Sequence, residues 1–120
     1  MSERKHSMPK QFEVYFLDVL DSIEKIQKYT KALSFEEFSK NPMAIDAVVR
    51  NLEIIGEAVK KIPNEIRKQH PEVEWKKISG LRDILIHAYA NIDLTIVWDI
   101  VQNKIPRLKN SIQEIKSEFE

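Results

Sequence analysis

From Phe12 to Leu33 the side chains Phe12, Phe16, Val19, Ile23, Ile26, Thr30 and Leu33 return at alternating steps of four and three. That period keeps them on one face of an α-helix, and over this length it predicts a helix of about six turns. A second run, Ile45, Val48, Leu52, Ile55, Val59 and Ile62, repeats the pattern. A third carries Leu94, Val97, Val101, Leu108, Ile112, Ile115 and Phe119 to the end of the chain. With only two glycines and five prolines in 120 residues, the sequence has few places to turn. Few turns and long 3–4 stripes leave helices as the building units.

The boundaries are marked by capping chemistry. Pro9 suits a first helical turn, where a missing N–H does no harm. Ser34 followed by Glu37 has the form of a capping box and opens a short helix carrying Phe35 and Phe38. Asn41-Pro42 pairs a capping side chain with proline at the first helical position, and Pro63 blocks the helix that follows. Pro63-Asn64 opens a short helix through Gln69, stopped before Pro71. Between there and Ile78 the pattern is least regular, with Trp75 and Ile78 expected against the bundle and Lys76 and Lys77 outward. Asp93 is a good N-cap for the last helix, which Pro106 should kink near Gln102 to Ile105. The expected fold is therefore all-α, an antiparallel up-down four-helix bundle with short additional helices. Residues 9–120 form one domain of ordinary size, and residues 1–8 form a disordered N-terminus.

Nineteen acidic and nineteen basic residues cancel. A neutral chain has no global field for gripping nucleic acid, so any such contact must come from a local patch. Cysteine is absent, which removes disulfides and thiolate metal sites and fits a reducing cytoplasm. No apolar run of signal or membrane length follows the polar first ten residues, so a soluble cytoplasmic protein without membrane contact is expected.

Chemistry concentrates in Gly80-Leu81-Arg82-Asp83-Ile84-Leu85-Ile86-His87-Ala88-Tyr89, where Arg82, His87 and Tyr89 fall among apolar residues that read as a buried helix. Polar groups in such a setting are costly unless paired or used. Metal ligation finds no spacing to support it, because His6, His70 and His87 are far apart and no His-x-x-x-His or Glu-x-x-His occurs. No cofactor motif is present either. On an ideal helix Arg82 and Tyr89 share a face, Asp83 can touch and orient His87, and His87 lies about 140° round the axis from Arg82. A straight helix in one subunit thus does not converge Arg82 and His87; either it frays near His87 or a second copy completes the site. Upstream, Arg50, Glu53 and Glu57 form a charged stripe with two readings: a solvated salt-bridge face, or the border of a cleft. Gly56 within it weakens the helix by about 1 kcal/mol relative to alanine, which points to close approach by another backbone.

The spacing Arg-x-x-x-x-His-x-Tyr from Arg82 to Tyr89 resembles the signature of the HepT-like branch of the HEPN superfamily. The segments Arg50 to Ala58, Trp75 with Ile78 to Leu81, and Asp93 through Pro106 also resemble that family, so the likeness runs over about residues 12–115. The resemblance implies a HEPN-type helical bundle that forms a homodimer with the motif helices at the interface. It implies a metal-independent endoribonuclease, the toxin of a toxin–antitoxin pair, with RNA, tRNA included, as substrate. It assigns Arg82 and His87 as the catalytic pair and Tyr89 as the target of AMP transfer from a minimal nucleotidyltransferase antitoxin. Asp83 stands at a position where other polar residues also occur; with Arg50 and Glu57 it is a supporting candidate. The residue chemistry agrees, since cleavage by the 2′-hydroxyl needs a base, an acid and cationic donors for the phosphorane. The competing readings are a non-catalytic HEPN module that binds a nucleotide or a nucleotidyltransferase, slightly favoured by the neutral charge, and a purely structural helical dimer.

Overall fold

The computed structural model describes residues 10–90 and 93–119, without the side chains of residues 10 and 86–90. Every regular element among the described residues is helical: α1 (Lys10–Thr30), α2 (Phe35–Ser39), α3 (Pro42–Lys60), α4 (Asn64–Gln69), α5 (Trp75–Ser79), α6 (Leu81–Ala90), α7 (Leu94–Asp99), a π-helical turn (Ile100–Lys104) and α8 (Ile105–Ser117). The fold is all-α.

The stripes do what their period dictates. Phe16, Val19, Ile23 and Ile26 of α1 and Val48, Leu52, Ile55 and Val59 of α3 are fully buried and join Ile112 and Ile115 of α8 in one continuous core. Helix α1 runs along α3 and also meets α8, while α3 supports α5 and α6. Burial of side chains of this size contributes about 1.5–3 kcal/mol each, which outweighs the modest helix propensity of their β-branched members. Two polar groups, one on the α1 stripe and one beside the α3 stripe, are buried with a partner. The Thr30 hydroxyl donates to the Ile26 carbonyl at 2.8 Å, and the Asn51 amide donates to the Ala47 carbonyl at 2.8 Å.

The caps form as expected. At α2, the Glu37 amide donates to Ser34 Oγ at 3.1 Å and the Ser34 amide donates to Glu37 Oε1 at 2.9 Å, closing the box. At α3, Asn41 Oδ1 accepts from the Ala44 amide at 3.0 Å, with Pro42 at the first turn. Asp93 accepts from the Thr95 amide at 3.1 Å and starts α7.

Three expectations change. The stretch after Gln69 contains a helix, α5, that no capping side chain announces: Glu74 precedes it without a side-chain cap. Trp75 is instead anchored by its own indole N–H, which donates to the His70 carbonyl at 2.9 Å. Pro106 acts where expected but not by a simple kink, because the chain widens into the π turn just before it. Proline offers no N–H to the Gln102 carbonyl and its ring crowds that oxygen, and a wider turn relieves the conflict. The helix beyond ends at Ser117, short of Phe119. Glu74 ties α5 to this π turn, accepting from Lys77 Nζ at 3.2 Å and from Lys104 Nζ at 3.5 Å. The Lys77 hydrogen bond first, and the nearby Lys104 charge after it, hold the Glu74 carboxyl below the ordinary carboxylate range.

Candidate functional site

Gly56 builds the site. A Cβ placed on it would lie 3.1 Å from the carbonyl oxygen of Ile78 and 3.8 Å from Leu81 Cβ. The junction between α5 and α6 therefore rests directly on the backbone of α3, the close approach anticipated from the sequence. Leu81 and Leu85 of α6 point into the core at 6% and 2% exposure. Ile84, between them, is 41% exposed, so over residues 81–85 the first half of α6 is buried along one side only, where its apolar composition suggested burial. The physical reason is the helical period: residues 81 and 85 share a face and 84 lies beside it.

With α6 docked this way, Arg82 stands out over α3. Its Nη1 lies 4.0 Å from Glu57 Oε2, with both side chains about half exposed, 59% and 47%. Glu57 also reaches Lys60 Nζ at 3.5 Å. A single contact of this length between solvated groups contributes little to stability. Arg82 and Glu57 border a cleft of about 350 Å³ that Arg50, Glu53 and, from α1, Tyr15 and Asp18 also line. Arg50, Glu53 and Glu57 thus all line one cleft, and Glu57 pairs along its own helix with Lys60 on the same face. Lys61, at the C-terminal cap of α3, completes the wall and places its Nζ 5.8 Å from the centre of the Tyr15 ring. Tyr15, Asp18 and Lys61 were not singled out from the sequence. Tyr15 sits beside the α1 stripe rather than off it, and no local spacing announces that α1 and the end of α3 meet.

His87 and Tyr89 lie in the second half of α6, and their side chains fall outside the described residues, as does the contact expected between Asp83 and His87. Asp83 itself is exposed. Among the described residues, no group of three His, Asp or Glu side chains is placed to hold a metal ion. His6 lies outside the described residues, and His70 is buried and structural: its Nε2 meets Glu118 Oε1 at 3.1 Å, fastening Glu118 to the α4–α5 connection. No helix among the described residues is long and apolar enough to cross a membrane.

A second hollow, about 500 Å³, is apolar, with Leu81, Ile84, Ile96, Ile100 and Leu108 along it and Arg107 at its rim. The polar cleft is the better candidate for chemistry. It contains the motif arginine, and its charged walls can bind an anion while supplying acceptors for hydroxyl or amine donors.

The comparisons with known proteins bear on this arrangement. A family model described as Ribonuclease HepT-like matches residues 19–115. A protein of Caldanaerobacter subterraneus subsp. tengcongensis named "Putative RNase" is 44% identical over 101 residues, 84% of this chain and 90% of its own length. The "Probable ribonuclease HepT" of Thermococcus cleftensis is 38% identical over 109 residues, 91% of this chain and 99% of its own. A Methanocaldococcus jannaschii protein named "Gamma-glutamylcyclotransferase and putative RNase" is 40% identical over 113 residues, 94% of this chain, but the chain spans only 51% of that protein. No solved structure matches the chain.

Proposed function

The chain belongs to the HepT-like ribonuclease family, and from that premise we propose that it is a metal-independent endoribonuclease working as a homodimer. The observation that carries this reading is the intact Arg82 to Tyr89 motif on a helix whose arginine stands exposed over a polar cleft. In the proposed reaction His87 takes the proton of a ribose 2′-hydroxyl, and the oxygen attacks the adjacent phosphorus. A second histidine, from the other copy, protonates the departing 5′-oxygen. The products are a 2′,3′-cyclic phosphate and a 5′-hydroxyl. Arg82 supplies fixed N–H donors to the phosphorane oxygens between the two proton transfers. Two-fold pairing supplies two copies of each residue and answers the separation of Arg82 and His87 around one helix.

The same reading makes the chain the toxin of a toxin–antitoxin pair, with tRNA among its substrates. Its antitoxin is a minimal nucleotidyltransferase that joins AMP to the Tyr89 oxygen. The added phosphate sets a negative charge and a bulky group beside the cations that substrate must reach. A Tyr89→Phe chain is expected to cleave RNA and to resist silencing when incubated with such a transferase and ATP. Silencing of that variant by AMP transfer would remove Tyr89 from its role.

The decisive test is RNA cleavage by the unmodified protein in EDTA, with mass analysis of the fragment ends. Cyclic-phosphate ends are expected. A folded dimer that cuts neither tRNA nor single-stranded RNA would instead support the non-catalytic module. The neutral charge of the chain is the feature that favours that alternative.

A further inference from the structure

The wall of the cleft away from Arg82 has its own chemistry. Tyr15 is half buried, packed against the core, with Phe12 beside it at 6.4 Å between ring centres. One side of its ring is thereby packed, and Lys61, exposed, lies over it at 5.8 Å. Arg50 and Arg82 lie along the same cleft, and so do the carboxylates of Asp18, Glu53 and Glu57. We propose that this cleft seats one nucleotide of single-stranded RNA next to the bond that is cut, with Tyr15 and Lys61 as the residues that bind it. The proposal rests on the ribonuclease reading for the identity of the ligand, but not for the geometry.

An aromatic face beside cations is what a single-stranded nucleic acid needs: the base stacks and the phosphates find charge. The ammonium of Lys61 already marks the ring face as a favourable place for a flat or cationic group. A base entering over Tyr15 displaces the ammonium, whose flexible, solvent-exposed stem lets it reach the neighbouring phosphate. The carboxylates give the cleft its selectivity. Three acids beside three bases cancel the field that would draw in any polyanion, while their oxygens accept from the 2′-hydroxyl and from amines on a base edge. The cleft therefore fits a ribonucleotide and discriminates against a bare phosphate chain. Its volume of about 350 Å³ is that of a small-ligand site. Arg82 at its border places the seated nucleotide beside the motif helix.

The test uses the His87→Ala chain, which keeps the probe intact, a short fluorescein-labelled single-stranded RNA, and anisotropy in EDTA. Adding Tyr15→Leu or Lys61→Gln is expected to weaken binding by about fivefold or more, with the salt dependence shallower by roughly one counterion for Lys61→Gln. Arg107→Gln, on the apolar hollow, should leave affinity within about twofold, as a surface change away from the ligand does. Lys61 is exposed, so its variant separates lost binding from lost folding. Absence of binding by the His87→Ala chain, affinity unchanged in both cleft variants, or displacement of the RNA equally well by polyphosphate would each overturn the proposal. If the unmodified chain fails to cleave RNA while the cleft variants still weaken binding, the ribonuclease reading falls and the cleft stands. Cleavage lost in His87→Ala with binding indifferent to Tyr15 and Lys61 gives the reverse.

Discussion

Substituting Arg82 by lysine should lower metal-free RNA cleavage by about 10²–10³-fold, the usual cost of removing one fixed donor to a developing anion. Charge is retained in this variant, so what is lost is the planar fork. Lysine offers a point charge on a flexible stem, and cannot hold two phosphorane oxygens at once. Glu57 lies 4.0 Å from the guanidinium. The melting temperature should move by no more than about 2 °C, because Arg82 is 59% exposed and surface changes of this kind are worth within about 0.5 kcal/mol. His87→Ala, which removes the proposed proton carrier, should cost about 10²–10⁴-fold in the same assay. The pair of variants is checked by initial rates at saturating RNA alongside thermal denaturation. An Arg82→Lys protein that cleaves at the parental rate would show that the fork is not used, and the catalytic role of the motif arginine would have to be abandoned.

Legibility in the sequence followed the range of the forces involved. Signals that act within one turn were readable and held: Ser34 with Glu37, Asn41 with Pro42, and Asp93 all cap the helices they were expected to cap. So did the stripes of α1 and α3, since a 3–4 period has one satisfactory arrangement in water. What escaped depends on tertiary contact. Helix α5 has no cap and is held by the Trp75 indole and by the bare face of Gly56, neither of which leaves a local spacing. The π turn is a backbone response to Pro106, whose position predicts a disturbance but not its form. Ile84 shows the converse error: its apolar character suggested burial, while the face on which it falls left it in solvent. Of the residues that line the candidate cleft, Arg50 and Glu57 drew notice by their helical spacing and Arg82 by the family-like motif. Tyr15 and Lys61 meet only because α1 lies along α3.

Gly56 to valine is the substitution expected to do most damage to the fold. The nearest obstacle to a new Cβ is the Ile78 carbonyl oxygen at 3.1 Å, a backbone atom that cannot rotate out of the way. Alanine at this position meets two opposed effects. It gains about 1 kcal/mol of helix propensity, and it forces the carbonyl to withdraw by a few tenths of an ångström, so its net change should be small. Valine gains less propensity and adds two methyl groups with one preferred rotamer in a helix, leaving the α5–α6 junction no option but to lift from α3. A loss of about 2–3 kcal/mol follows, or roughly 6–12 °C in melting temperature for a domain of this size. Because Leu81 packs at the same contact and Arg82 follows it, the lift also carries the guanidinium away from Glu57 and the cleft. Cleavage per folded molecule should therefore fall in Gly56→Val below the level set by stability alone, measured at a temperature where both proteins are folded. A valine variant that melts with the parent would mean that the junction is not seated on this glycine, and the account of how Arg82 is placed would fail with it.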